Sequence, residues 1–196
     1  AVAIFGILNA QNNSENYRFF LGDDLGITTT INYSPLSAFE DTHESYSIPT
    51  NSFFFGFKNS RNDSYQGVSI VMMSANTAQP FKEKFENTMV LWSTQRSMPL
   101  FNNWNIMYRC GVGAAWMRNR CTIDGDDLKI NRYGLAAKCE GGLIYNISSL
   151  SYIGITGGLT TVSKIHDKYD VPETAQKNDK HVFFGKQLSV TYGIRF

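Results

Sequence analysis

The stretch QLSVTYGIRF, Gln187 to Phe196, alternates without a break. Leu188, Val190, Tyr192, Ile194 and Phe196 share one side, and Gln187, Ser189, Thr191, Gly193 and Arg195 share the other. Successive side chains of a strand point to opposite faces, so a two-residue period marks a strand between two different environments. The fold turns on which environment meets which face.

The same period recurs towards the N-terminus. In NWNIMYRCGVGAAWM, Trp104, Ile106, Tyr108, Cys110, Val112, Ala114 and Trp116 oppose Asn105, Met107, Arg109, Gly111, Gly113 and Ala115. In NRYGLAAKCEGGLIY, Tyr133, Leu135, Ala137, Cys139, Leu143 and Tyr145 oppose Arg132, Gly134, Ala136, Lys138, Glu140 and Gly142. SYIGITGGLTTVS sets Ile153, Ile155 and Leu159 in phase, with Val162 out of it, and NSFFFGF sets Phe53, Phe55 and Phe57 together. FENTMVLWSTQ reads as a strand of unsettled phase. From LGITTTINY onward this predicts eight consecutive antiparallel strands whose connections alternate long and short. Polar excursions such as ANTAQPFKEK and RCTIDGDD supply the long ones. Short turns at one end and long loops at the other are the layout of an up-and-down transmembrane β-barrel, with turns periplasmic and loops extracellular.

Composition narrows the classes. A chain of 196 residues makes one domain or one barrel. Its net charge of +1 argues against a nucleic-acid binder, which carries a basic excess. Charged residues make up 18%, against about 25% in a soluble domain. No apolar run reaches the roughly 20 residues of a transmembrane helix. The mean hydropathy of −0.25 does not argue for solubility, because barrel strands offer lipid only alternate residues. The three cysteines carry no CxxC spacing and no neighbouring His, so neither a metal site nor a cofactor is expected.

The polar faces are rich in Gly, Ala, Ser and Thr and hold isolated charges: Arg109, Arg132, Lys138, Glu140 and Arg195. A solvated face usually carries many Lys and Glu. Small residues and sparse ions suit a narrow interior, where side chains must fit and charges must pair. The apolar faces carry Trp104, Trp116, Tyr133 and Tyr145 towards the segment ends, as in an aromatic girdle at a lipid–water boundary. The chain therefore reads inside-out, with a soluble lipocalin-like barrel or β-sandwich as the rival. Arg96 and Glu86 join the lumen charges if their strand is phased inward. Bases outnumber acids, and Asp24 is a candidate counter-ion. The charges either plug the lumen or line a selective pore. Eight strands leave a lumen that side chains just fill, which favours the plug.

The ending TYGIRF resembles the C-terminal signature of bacterial outer-membrane proteins, with Tyr192, Ile194 and Phe196 as its aromatic or apolar positions. Together with the loop alternation, residues 24–196 resemble the small eight-stranded barrels of the OmpA/OmpX/opacity class. The resemblance implies an outer-membrane location and contact with membrane lipid and lipopolysaccharide. It also implies recognition of the last strand by the barrel-insertion machinery, and extracellular loops that meet a host or partner protein.

Several local readings accompany this one. A strand through YRFFLGDDLG would turn Asp23 towards lipid with Leu21 and Leu25, so GDDLG reads as a turn. Residues 1–23 then form a separate N-terminal segment. They are either the remnant of a secretion signal or two further strands, Ala1–Asn9 and Asn16–Leu21, which would make ten; eight is preferred. Cys110 and Cys139 share the outward phase of neighbouring strands, and they lie opposite each other if the hairpin turns near Gly125. They are a candidate disulfide, or two small residues facing lipid, with Cys121 in a loop. In EDTHESYS, His43, Glu44 and Ser45 invite comparison with barrels that modify lipid A. The pattern of those enzymes is lacking, so no catalytic residue is assigned. The expected function is surface binding, adhesion or a structural role, with a narrow channel and a lipid A-modifying enzyme as alternatives.

Overall fold

The computed structural model describes residues 18–31, 47–59, 64–77, 82–123, 126–170 and 182–196. Among them are eight antiparallel strands: β1 (Phe19–Ile31), β2 (Ser47–Asn59), β3 (Ser64–Thr77), β4 (Lys82–Phe101), β5 (Trp104–Ile123), β6 (Asp126–Asn146), β7 (Ser151–Asp170) and β8 (Val182–Arg195). Each pairs with the next, and β8 returns to β1, so the sheet is a closed barrel. At the seam, Phe19 and Phe196 exchange backbone hydrogen bonds of 2.8 and 3.0 Å.

The ladder fixes the barrel's shape. A walk from Phe19 through Phe57, Gln66, Thr94, Cys110, Cys139, Leu159 and Lys186 returns to β1 at Thr29, ten residues higher. That stagger around eight strands tilts them by about 35–45° and leaves an interior just wide enough for side chains.

Burial follows the alternation, with the apolar face outside. Ile155 is 61% exposed, Leu188 65% and Val112 65%, whereas Asp24 is 0% and Arg109 3% exposed. A water-soluble barrel would reverse these values. The outer surface is therefore an apolar belt made for acyl chains. It includes Leu21, Leu25, Phe53, Phe55, Val90 and Trp92.

Two expectations are corrected. GDDLG is not a turn: β1 runs straight through it, with Gly22 opposite Gly193 and Asp24 opposite Thr191. The barrel thus begins at Phe19 rather than Asp24. Asp24 is required inside, as shown below, and an unbroken strand then places Asp23 on the outer phase between Phe53 and Tyr192. The second correction concerns two outward connections. β4, β5 and β6 are 20 to 21 residues long, about twice the 9–11 that span a bilayer. Most of ANTAQPFKEK and RCTIDGDD is therefore ladder: β3–β4 pairing runs to Thr77–Glu83 and β5–β6 pairing to Ile123–Asp126. Beyond the belt neither face needs to be apolar, so the strand continues in polar sequence.

At the opposite end the turns are tight. Asn102 takes φ 45° in the two-residue connection Asn102–Asn103, a left-handed conformation that Asn tolerates well. In the 147–150 turn the Ser148 hydroxyl accepts hydrogen bonds from the backbone N–H groups of Leu150 and Ser151, both at 3.1 Å.

The belt is open to test with single-tryptophan variants in bilayers of brominated lipid. Trp92, outward among Val68, Val90 and Val112, should be quenched best by bromines deep in the acyl chain. Trp104 should be quenched best by bromines near the headgroup. Equal quenching by both lipids would contradict the belt.

Candidate functional site

Two apolar clusters and an ionic group between them face the lumen, alongside buried Ser, Thr and Asn side chains. Nearest the short turns, Phe20, Phe54, Met107, Ile144 and Tyr152 form a buried apolar cluster. Phe20 stacks at 5.8 Å between ring centroids on Tyr152 and meets Phe54 at 5.6 Å. Nearest the loops lies a larger cluster that includes Ile48, Met73, Phe85, Met89, Met117, Val162 and Phe183.

Between these layers sit the ions. Arg109 of β5 binds Asp24 of β1 through both Nη atoms, at 2.8 and 3.3 Å. Its Nε donates to Gln95 Oε1 at 3.1 Å and lies 3.3 Å from Glu140 Oε1. Glu140 Oε2 is 2.8 Å from Lys138 Nζ, which also reaches Ser52 Oγ at 3.3 Å. Gln95 Nε2 donates to Tyr152 Oη at 3.2 Å, tying the ions to the aromatic layer. The Arg109 guanidinium also lies 5.1 Å from the centroid of the Phe54 ring. Two cations thus face two anions, and every ionic side chain is at least 95% buried. Charges this dry hold only as a complete, hydrogen-bonded set.

The other charges named from the sequence do not join this set. Arg132 is buried on β6 six residues from Lys138, about 20 Å along the strand at 3.3 Å per residue. Arg195 lies at the turn end, 5.7 Å over the Tyr152 ring, with its Nη2 3.5 Å from Asn146 Oδ1. Arg96 and Glu86 fall on the outer phase, because the inward positions of β4 are Phe85, Asn87, Met89, Leu91, Ser93 and Gln95. Gln95, Ser52 and Tyr152 belong to the network but were not singled out from the sequence. They are neutral, and only the register brings them to Arg109 and Lys138.

The aromatic residues fall at opposite rims. Trp104 and Tyr145 are register partners near the turns, edge-to-face at 5.2 Å. Trp116 and Tyr133 are register partners near the loops. On the last strand, Tyr192 points outward, and Phe196 lies outside with its ring stacked on Phe19 at 6.0 Å. Ile194 shares their phase and is half-buried.

Cys110 and Cys139 are direct partners across β5 and β6, with Cα atoms 4.2 Å apart and their sulfurs joined as a disulfide on the outer face. His43, Glu44 and Ser45 lie outside the described residues. Among the described residues no group of His, Cys, Asp and Glu is gathered that would hold a metal ion.

No protein-family model matches the chain, and no curated protein does. Solved structures do. Neisserial surface protein A superposes with a TM-score of 0.59 at 13% identity, covering 91% of this chain and 97% of that one. Ail, the attachment invasion locus protein of Yersinia pestis, gives a TM-score of 0.55 at 14% identity, covering 91% and 99%. The fold is that of the small eight-stranded outer-membrane barrels.

The ionic layer predicts a non-additive mutant series. Arg109→Met alone should cost about 3–5 kcal/mol in urea unfolding from vesicles, because Asp24 is left buried and unpaired. Asp24→Leu combined with Arg109→Met should cost clearly less than the two single changes summed, since Lys138 and Glu140 still pair. Strict additivity would refute the network. For the cysteines, denatured unreduced protein should alkylate at a single thiol of its three. Alkylation of all three would remove the disulfide.

Proposed function

We propose that the protein is an integral outer-membrane barrel that works as a rigid scaffold, with residues 32–46 and 171–181 as the connections that bind at the cell surface. The observation that carries this reading is the occupancy of the lumen. Two apolar clusters with a paired ionic group between them occupy much of the interior, which supports a scaffold over a pore. Loops held on a rigid frame are where binding residues concentrate. These two connections are the longest that join the strands.

The likeness to Ail supports the same direction, since that protein is named the attachment invasion locus protein and is seen in complex with a heparin analogue, sucrose octasulfate. The outward row Tyr192, Ile194 and Phe196 supplies the last-strand side chains that the barrel-insertion machinery would read. Lipid and lipopolysaccharide are the surroundings of the belt, and the surface partner is a host molecule or another protein.

Two measurements test the proposal together. The refolded protein in planar bilayers should give no ohmic conductance; a steady open-channel current would replace the scaffold with a channel. Cells displaying the wild type should attach to epithelial monolayers or immobilised heparin more than cells carrying an empty vector. Replacing residues 34–44 and 173–180 by Gly/Ser segments should abolish the difference. Attachment that survives both replacements would place binding elsewhere.

A further inference from the structure

Asp23 stands on the outer phase of β1 between Leu21 and Leu25, both exposed. Its register partners are Phe53 of β2 and Tyr192 of β8. It lies four residues above Phe19, whose ring stacks on Phe196 at the turn-end rim. On a strand tilted by about 40° that is about 10 Å along the barrel axis, well inside an apolar band about 25 Å tall. Asp23 is half-buried, and its Oδ1 has no hydrogen-bond partner among the described residues. Asn51 of β2, the diagonal neighbour of Asp23, has an Oδ1 in the same condition. An aspartate side chain is too short to reach either interface from this depth, and acyl chains donate no hydrogen bond. Ionisable residues at such a depth meet partners rather than lipid.

The pleat that turns Asp24 into the lumen puts residue 23 outside, but it does not require an acid there. A leucine would continue the row of Leu21 and Leu25 and leave the ionic group untouched. The acid therefore asks for a partner that brings a hydrogen-bond donor to the same depth. Tyr192 is such a donor, directed outward beside Asp23. Within one chain its hydroxyl leaves Asp23 Oδ1 unmet. A second copy, inserted with the same polarity, carries the same hydroxyl at the same height.

We infer that two copies of this chain meet along the β1–β8 seam, Asp23 of each accepting a hydrogen bond from the hydroxyl of the partner's Tyr192. Copies of one polarity are related by a two-fold axis along the membrane normal. Such an interface is isologous, so each contact occurs twice. Asp23 and Tyr192 are register neighbours, and an axis passing between them sets each against the other at nearly one height. Leu21, Leu25, Phe53 and Val190 surround the pair with apolar surface. The inference rests on the outer-membrane reading above. It adds a partner for the barrel wall, away from the connections 32–46 and 171–181.

The test is sedimentation equilibrium of the full refolded chain in density-matched detergent micelles, where only protein contributes to the buoyant mass. The wild type should pass from one chain of 22.1 kDa to two as the protein-to-detergent ratio rises. Asp23→Leu and Tyr192→Phe each remove both bonds of the symmetric pair. At about tenfold per hydrogen bond in a membrane, each should dimerise about a hundredfold more weakly. An equimolar mixture of the two variants restores one bond, because the copy that keeps Asp23 meets the copy that keeps Tyr192. With a dye on one variant to follow it, this heterodimer should be only about tenfold weaker than the wild-type dimer.

A wild type that remains one chain at every ratio overturns the pairing, and so does undiminished dimerisation of either variant. A mixture that associates no better than its components overturns the crossed geometry, and the proposal with it. Heat-modifiable gel mobility is read on every sample. A wild type that never shows it brings down the barrel reading and the dimer together; one that shows it and stays monomeric brings down the dimer alone. Asp23→Leu takes an acid out of the belt and should fold at least as well as the wild type. Should Tyr192→Phe fail to fold, Asp23→Leu mixed with wild type is read in its place. That heterodimer also keeps one bond and should be about tenfold weaker than the wild-type dimer; equal strength overturns the site.

Discussion

In hydrocarbon there is no water to satisfy a free backbone N–H or C=O, so a sheet that enters a bilayer can have no open edge. The seam between β1 and β8 answers that constraint, and the rest of the structure follows from it. Twelve register pairs join the two strands, from Phe20–Arg195 to Ile31–Phe184, and the exchange between Phe19 and Phe196 closes the rim. Closure with a ten-residue stagger sets the tilt, the tilt sets the radius, and the radius decides that the interior is a core rather than a channel. An apolar belt then has to face outward, because lipid is the only medium in which this closed sheet buries it.

The ions explain the course of β1. Arg109 and Lys138 enter the lumen from β5 and β6, while among the described inward residues of those two strands Glu140 alone meets them as an acid within bonding distance. The balancing carboxylate comes from the far side of the barrel, from Asp24. For Asp24 to point inward, β1 must keep its pleat through GDDLG. The neighbouring Asp23 is then turned to the outer surface, where an acid beside Phe53 and Tyr192 is costly. A neutral core and a clean belt compete at this one dipeptide, and the core prevails.

Much of this was legible in the sequence because alternation survives wherever one face meets lipid and the other meets small residues. β5, β6 and β8 were read in their correct phase for that reason. Legibility fails where the lumen itself is apolar. Val162 broke the period of its segment because it belongs to the loop-end cluster with Phe183 and Met117. Phe54 sat hidden between Phe53 and Phe55 because its ring packs inside against Phe20 and Arg109. The unsettled phase of β4 has the same origin, since Met89 and Leu91 face inward while Val90 and Trp92 face out. Arg109, Lys138 and Glu140 were recognisable as inward charges, but their grouping with Gln95, Ser52 and Tyr152 depends on register, which no single strand encodes. The loop-end extensions were missed because above the membrane a ladder needs no apolar face, and polar strands look like loops.

The Cys110–Cys139 bridge sits on the belt, two residues along β5 from Val112 and four along β6 from Leu135. Thiolates and charged reductants do not partition into acyl chains, so thiol exchange stops once these sulfurs are immersed. Whatever oxidation state the pair carries on entry is the state it keeps, and an oxidised β5–β6 hairpin enters as a stapled unit. The bridge thereby acts as a timestamp of periplasmic passage, written before assembly and unreadable to solvent afterwards.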